Sequence, residues 1–283
     1  MMRFRNLTYK RIRISAISII LVFALTIVSL SGCSQKSEEV IVIAGSTSVQ
    51  PYAEVLAEEF MILHPGTEID IQGGGSSAGI TAAESGIADI GMSSRSLKDE
   101  EAGLWYVEIA RDGLAVIVNP ANPVQDLTLD HVRDIYAETI TTWNEVGGAS
   151  AKIHVIAREE GSGTRSAFTD LVMGKETEIT LRAIVQDSNG AVRQLVADDP
   201  NAIGFISLGL VNEKVKALEL GGIAATRENV ENGSYELSRP FLFIAANEPV
   251  GLTKEFIDFV LSEEGQKILM NEGLIPSSER EGK

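Results

Sequence analysis

The sequence predicts an α/β fold in two lobes, and three observations predict it. Short apolar runs that read as buried strands alternate with segments of helical periodicity, the pattern of a mostly parallel sheet flanked by helices. The chain is 283 residues long, enough for two compact units. Two apolar strands, Gly113 to Val118 and Pro240 to Ala245, stand either side of a further α/β set and read as the crossovers between lobes. No fixed-period repeat is visible, which sets solenoids and propellers aside.

At the N-terminus, Arg3, Arg5, Lys10, Arg11 and Arg13 precede an apolar run from Ile14 to Leu30, broken only by Ser15, Ser18, Thr26 and Ser29. This is the layout of a signal peptide, and the run is slightly short for a membrane span of ~20 apolar residues. It ends in Leu30-Ser31-Gly32-Cys33, which resembles the lipobox of bacterial-type lipoproteins. Residues 1–32 are therefore expected to be removed and Cys33, the only cysteine, to carry lipid. A single cysteine forms no intramolecular disulfide, and lipidation removes an otherwise reactive exported thiol. Ser34 to Glu39 is polar and offers nothing to a core, so 33–39 reads as a tether. The expected location is the outer face of the cytoplasmic membrane, or the periplasm, with a lipid anchor.

The first strand is expected at Val40 to Ala44. Gly45-Ser46-Thr47-Ser48 follows, then Pro51 in a first helical turn, with Val49, Ala53, Leu56 and Phe60 at helical spacing. The design repeats: Glu68 to Ile71 as strand, Gly73 to Ser77 as loop, Ala78 to Ser85 as short helix. A third strand, Ile87 to Gly91, opens the loop Met92-Ser93-Ser94-Arg95. Glycine, serine and threonine thus gather at three strand ends, and carboxyl ends of strands are where open α/β sheets bind ligands.

Between the crossovers, a helix is expected around Leu129 to Tyr136, strands at Ile153 to Ala157 and Ile203 to Ile206, and helices after Thr164 and Gly190. The segment Thr253 to Gly273 places Phe256, Ile257, Val260, Leu261, Ile268 and Leu269 on one helical face, which should pack back on the first lobe. The expected division is 40–118 with 240–283 as lobe I, discontinuous in sequence, and 119–239 as lobe II.

Hydrophobic residues make up 44% and charged residues 23% of the chain, an ordinary soluble composition. The formal net charge is −16, and residues 1–32 hold five basic residues and no acidic one, so the chain past Gly32 is more acidic still. That excludes a nucleic-acid partner, whose backbone needs clustered Lys and Arg. His64, His131 and His154 are scattered, so neither a metal nor a cofactor is expected.

The chemistry concentrates at Arg158 to Thr164, R-E-E-G-S-G-T, directly after a strand and before the helical pattern Ala167, Phe168, Leu171, Val172. Ser-Gly-Thr there caps a helix whose free N–H groups and positive dipole end suit an anion, and glycine permits close approach. Arg158 adds a planar fork of donors for two oxygens. A lone cap of this kind is usually only a cap; Thr47-Ser48 and Ser76-Ser77 presenting the same arrangement from two other strand ends give the anion reading its weight. Distant surface carboxylates do not oppose it, since charges are screened over ~8 Å at physiological salt.

G-S-T-S-V-Q-P at Gly45 to Pro51, G-G-G-S-S-A-G at Gly73 to Gly79, D-I-G-M-S-S-R at Asp89 to Arg95 and R-E-E-G-S-G-T at Arg158 to Thr164 resemble the phosphate-binding proteins of phosphate-specific ABC transporters. The resemblance covers nearly all of the chain past the leader, in the family's order. It implies a periplasmic-binding-protein type II fold, each lobe a mixed, mostly parallel sheet flanked by helices, with two crossover strands as hinge. It further implies one dehydrated phosphate between the lobes, contacted by Thr47, Ser48, Ser76, Ser94, Arg158, Ser162, Gly163 and Thr164. A monomer that closes on the anion and docks on an ABC permease follows, and no bond is made or broken.

The sequence departs from part of the family at Ser94, where some members carry an aspartate that accepts a proton from phosphate. Asp112 and the Ser94 hydroxyl are the candidate acceptors here, with Arg95 as an accessory; Asp112 reads equally as a turn residue before a strand. A buried acceptor would suit phosphate and leave sulfate unpaired and repelled. Sulfate, molybdate or tungstate are the alternative ligands. Gly75 to Gly79 also satisfies G-x-S-x-G, the nucleophile elbow of a serine hydrolase with Ser77 as nucleophile. The later histidines, His131 and His154, are poorly placed to serve as its base.

Overall fold

The computed structural model describes residues 39–277. The expected leader, Cys33 and all but the last tether residue lie outside the described residues. No helix among the described residues is long and apolar enough to cross a membrane.

The first lobe opens as β1 (Glu39–Gly45), α1 (Gln50–Leu63), β2 (Thr67–Gly73), α2 (Ser76–Glu84) and β3 (Ile90–Ser93). β1 pairs in parallel with β2 and β3, in a register that sets Ile41 beside Ile69 and Ile43 beside Ile90. Proline in the first turn suits the start of α1, where its missing N–H would have no acceptor. Tyr52, Ala53, Leu56, Ala57 and Phe60 form the buried face of that helix.

β3 begins three residues later than the apolar Ile87 suggests. The chain leaves α2 through Gly86 at φ 70, and the N–H groups of Ile87 and Ala88 both return to the carbonyl of Ala82. Ile87 is left 76% exposed, an apolar residue in a turn rather than a strand. The strand instead runs on into Met92 and Ser93.

β4 (Trp105–Val118) is longer than expected, and it connects the lobes. Its first half pairs antiparallel with β11 (Ser238–Ala245), and Leu114 to Val118 pair antiparallel with β8 (Ala202–Ser207). The remaining second-lobe elements are β5 (Asp126–Leu127), α3 (Leu129–Tyr136), β6 (His154–Arg158), α4 (Gly163–Phe168), β7 (Ile184–Gln186), α5 (Asn189–Asp198), β9 (Lys216–Ala217), β10 (Glu219–Leu220) and α6 (Arg227–Glu231). A wide turn, Thr169–Met173, continues α4. The main path through the sheet is β2-β1-β3-β11-β4-β8-β6-β7.

Two cores divide the molecule. Ile41, Ile43, Leu56, Phe60, Ile109, Phe241, Phe243, Phe256 and Leu269 belong to the first. Leu114, Val116, Val118, Tyr136, Trp143, Phe168 and Phe205 belong to the second, beside a smaller cluster of Ala115, Ile117, Val192, Val196 and Ile206. β4 changes core between Ala110 and Leu114, and Asp112 and Gly113 occupy the step. The chain returns to the first core through β11, then α7 (Gly251–Leu261), α8 (Glu263–Asn271) and β12 (Ile275–Pro276). The C-terminal helical segment is split at Ser262, whose hydroxyl accepts the N–H of Gly265 and caps α8.

Candidate anion-binding site

Three strand ends of the first lobe meet through glycine. A β-carbon at Gly79 would lie 2.5 Å from the carbonyl of Ala44 and 2.6 Å from Gly45 Cα, and one at Gly91 would lie 2.5 Å from the carbonyl of Gly79. Only bare backbone lets α2 approach β1 and β3 this closely. The contact gathers three hydroxyls. Ser46 Oγ–H donates to Ser94 Oγ at 2.9 Å, Ser94 N–H donates to Ser76 Oγ at 3.0 Å, and the Ser76 and Ser94 hydroxyls lie 3.4 Å apart. All three serines are buried.

From the second lobe, β6 ends at Arg158, whose side chain is 1% exposed. Its Nε and Nη2 donate to the two carboxylate oxygens of Glu159, at 2.8 and 2.9 Å, and to the carbonyls of Gln186 and Asp187. The Ser162 hydroxyl caps α4 by accepting the N–H of Arg165 at 3.2 Å. By position, the N–H groups of Gly163 and Thr164 have no acceptor within the helix.

The two lobes touch at these same residues. Ser48 and Thr164 hydroxyls are 2.8 Å apart, and Ser77 N–H donates to the carbonyl of Gly161 at 3.1 Å. A β-carbon at Gly163 would fall within contact distance of Ser76 Oγ and 2.6 Å from Ser94 Oγ. Thr47 and Ser48 are joined to the second lobe by Asn189, whose Nδ2 reaches their hydroxyl oxygens at 3.3 and 2.9 Å while its Oδ1 accepts Ser207 N–H.

Arg239, at the start of β11, is a part of the site that sequence reading passed over. It is 2% exposed; Nε and Nη2 donate to Asp112 Oδ2 at 3.2 and 3.0 Å, and Nη2 also reaches Ser48 Oγ at 3.1 Å. Burial lowers the proton affinity of this guanidinium; Asp112 opposes that, and the neighbouring charge of Arg158 adds to it. Burial likewise pushes the Asp112 carboxyl up, and Arg239 and the N–H of Gly209 pull it back only in part. Arg239 thus occupies Asp112 Oδ2 with two donors. The Nη1 groups of both Arg158 and Arg239 are buried with no partner among the described residues. An unpaired buried cationic donor is costly, so two neighbouring ones mark a place for an anion.

Of the expected residues, Ser48 meets Thr164, Ser76 and Ser94 lie together facing Gly163, Asn189 bonds Thr47 and Ser48, and Arg158 and Ser162 stand at either end of the loop before α4. Arg95 turns away to Glu101, with Nη1 to Oε2 at 2.7 Å and Nη2 to Oε1 at 2.8 Å, which holds the Glu101 carboxyl below its usual range. Ser77 Oγ meets Arg95 Nη2 at 3.5 Å, whereas His131 and His154 are engaged by Thr128 and Asp199. The hydrolase geometry does not form. Ser46 lay inside the first quoted motif, Asn189 opens a helix after Ser188, and Arg239 immediately precedes the expected crossover; each was visible, but none has local periodicity to mark it.

A two-lobed sheet joined by two crossover strands, with hydroxyls of both lobes meeting at Ser48 and Thr164 and buried guanidiniums beside them, has the architecture of the periplasmic-binding-protein class. Residues 32–264 match the family model of the PBP superfamily domain. The phosphate-binding protein PstS of Bacillus subtilis is 33% identical over 249 residues, covering 86% of this chain and 82% of its own. That of Borreliella burgdorferi is 30% identical, covering 91% and 97%. A Clostridium perfringens protein described as a phosphate ABC transporter substrate-binding protein, solved with bound phosphate, superposes with a TM-score of 0.82 at 48% identity, over 85% of this chain and 100% of that one. An ABC-type phosphate transport receptor from Vibrio cholerae gives 0.71 at 42%, over 84% and 100%. The chain belongs to the PBP superfamily and, within it, to the phosphate-binding PstS proteins.

Proposed function

We propose that this protein captures inorganic phosphate between its lobes outside the cytoplasm and hands it to an ABC importer, without chemical change. The observation that carries the reading is the pair of buried, unpartnered Nη1 groups on Arg158 and Arg239. In the proposed ligand set they are joined by the N–H groups of Gly163 and Thr164 and the hydroxyls of Thr47, Ser76, Ser94, Ser162 and Thr164. Each guanidinium already faces a carboxylate, Glu159 or Asp112, so the anion meets directed donors rather than bulk positive charge. The proposed division is 40–118 with 240–283 as lobe I and 119–239 as lobe II, and the packing changes core near Gly113 and Leu237. Lipid on Cys33 anchors a monomer to the membrane.

With Asp112 engaged by Arg239, the Ser94 hydroxyl is left as the acceptor for a phosphate proton. A hydroxyl can donate as well as accept, so it rejects sulfate less firmly than a carboxylate would.

The test is calorimetric titration of ligand-stripped protein starting at Ser34 against phosphate, sulfate, molybdate and tungstate, with Arg158→Met and Arg239→Met in parallel. Micromolar or tighter phosphate binding, lost in both variants, is the expected result. Tight binding of another oxyanion with no heat from phosphate would overturn the assignment of ligand.

A further inference from the structure

We propose that the Ser48 hydroxyl is not a ligand of the anion but the latch that joins the two lobes when they close; this rests on the phosphate reading above. A serine hydroxyl has two acceptor lone pairs and one proton. Asn189 Nδ2, at 2.9 Å, and Arg239 Nη2, at 3.1 Å, are groups that can only donate, and together they take both lone pairs of Ser48 Oγ. The third neighbour, Thr164 Oγ1 at 2.8 Å, must then receive the Ser48 proton. Nothing remains on Ser48 Oγ with which to bind an oxyanion.

The polarity has a second effect. Thr164 accepts from Ser48, so its own proton is released from the protein network and is directed by default toward the site at the start of α4. All four partners are buried, so water does not take the place of any of them: Ser48 0%, Asn189 1%, Thr164 1% and Arg239 2% exposed. The hydroxyl also sits where three separately moving parts meet. Ser48 follows β1 in the first lobe, Thr164 and Asn189 belong to the second, and Arg239 lies on a crossover strand. Opening the cleft breaks the bonds to Thr164 and Asn189 together, so the latch acts on the closed state and on release.

The experiment compares Ser48→Ala, Asn189→Ala, the double variant and Ser76→Ala. It measures phosphate association and dissociation by stopped flow, the phosphate-to-sulfate affinity ratio, and lobe closure by small-angle scattering. A latch predicts that Ser48→Ala and Asn189→Ala each speed dissociation, by about 10- to 100-fold, with association nearly unchanged. It predicts that the double variant is within about twofold of the worse single one, because both remove one shared contact. The phosphate-to-sulfate ratio stays constant in these variants and shifts in Ser76→Ala. Multiplying effects, or a changed ratio in Ser48→Ala, would overturn the latch and return Ser48 to the ligand set. If the unmodified protein binds sulfate, molybdate or tungstate instead, the phosphate reading falls and the same cycle tests the latch with that anion. Binding of none of the four overturns both.

Discussion

Arg239 on β11 and Asp112 on β4 are register partners across the two crossover strands, with Nη2 3.0 Å from Oδ2, and both are buried. The crossover strands therefore carry an ion pair whose cation also reaches Ser48 Oγ. Removing one partner of such a pair strands a buried charge, so Arg239→Met is expected to lower stability by about 3–5 kcal/mol. Arg239→Met combined with Asp112→Asn should regain most of that loss while still failing to bind phosphate tightly. Thermal unfolding of the two variants, beside titration with phosphate, checks both halves.

Gly163 faces Ser76 and Ser94 across the cleft with no room for a β-carbon. Gly163→Ala should leave each lobe folded, because opening relieves the clash, yet prevent closure. The expected result is phosphate affinity reduced about 100-fold or more, equivalent to ~3 kcal/mol. The melting temperature without phosphate should move by less than about 2 °C. A variant that binds normally would show that the closed geometry is wider at this point.

Gly79 contrasts with Gly163, since its close neighbours are backbone atoms within one lobe. Gly79→Ala cannot be relieved by opening. It should destabilise by about 2–3 kcal/mol, visible as a drop of about 5–10 °C in melting temperature for a chain of this size.

Arg95 and Glu101 form an ion pair with little exposure, and its hydrogen bonds hold the Glu101 carboxyl down. Its folded-state pKa lies below the unfolded one, so the stabilisation is complete above the ordinary carboxylate range. It is lost as pH falls through the folded-state value. Glu101→Gln should melt about 2–4 °C lower than the unmodified protein at pH 7. The gap should narrow steadily as the pH is taken down into and below the carboxylate range. A gap independent of pH would mean that packing, not charge, holds this loop.

Much of the fold was legible because its signals are local. Helix α3 lies where the sequence places it, Leu129–Tyr136, and the first-lobe loops follow from glycine and serine at strand ends. Ile87 misled because an apolar residue after a helix looks the same in sequence whether it enters a strand or ends a turn. In the site, Arg158 and the Ser162 to Thr164 cap were readable from one contiguous motif. Arg239 was not, because its partners Asp112 and Ser48 lie 127 and 191 residues away in sequence, and only the pairing of β4 with β11 brings them together. Asn189 was missed for the same reason: a helix-opening asparagine usually serves its own helix, and this one serves the opposite lobe.

The glycine-to-backbone contacts among Gly45, Gly79 and Gly91 fix the first-lobe loops without help from the hydroxyls of Ser46, Ser76 and Ser94. Framework and lettering are thereby separate. A hydroxyl at position 46, 76 or 94 can be exchanged for a carboxylate or an amide while the strand ends stay where main-chain packing has put them. Ligand preference in such a scaffold is therefore open to change one residue at a time, by selection or by design, with the binding mould left intact.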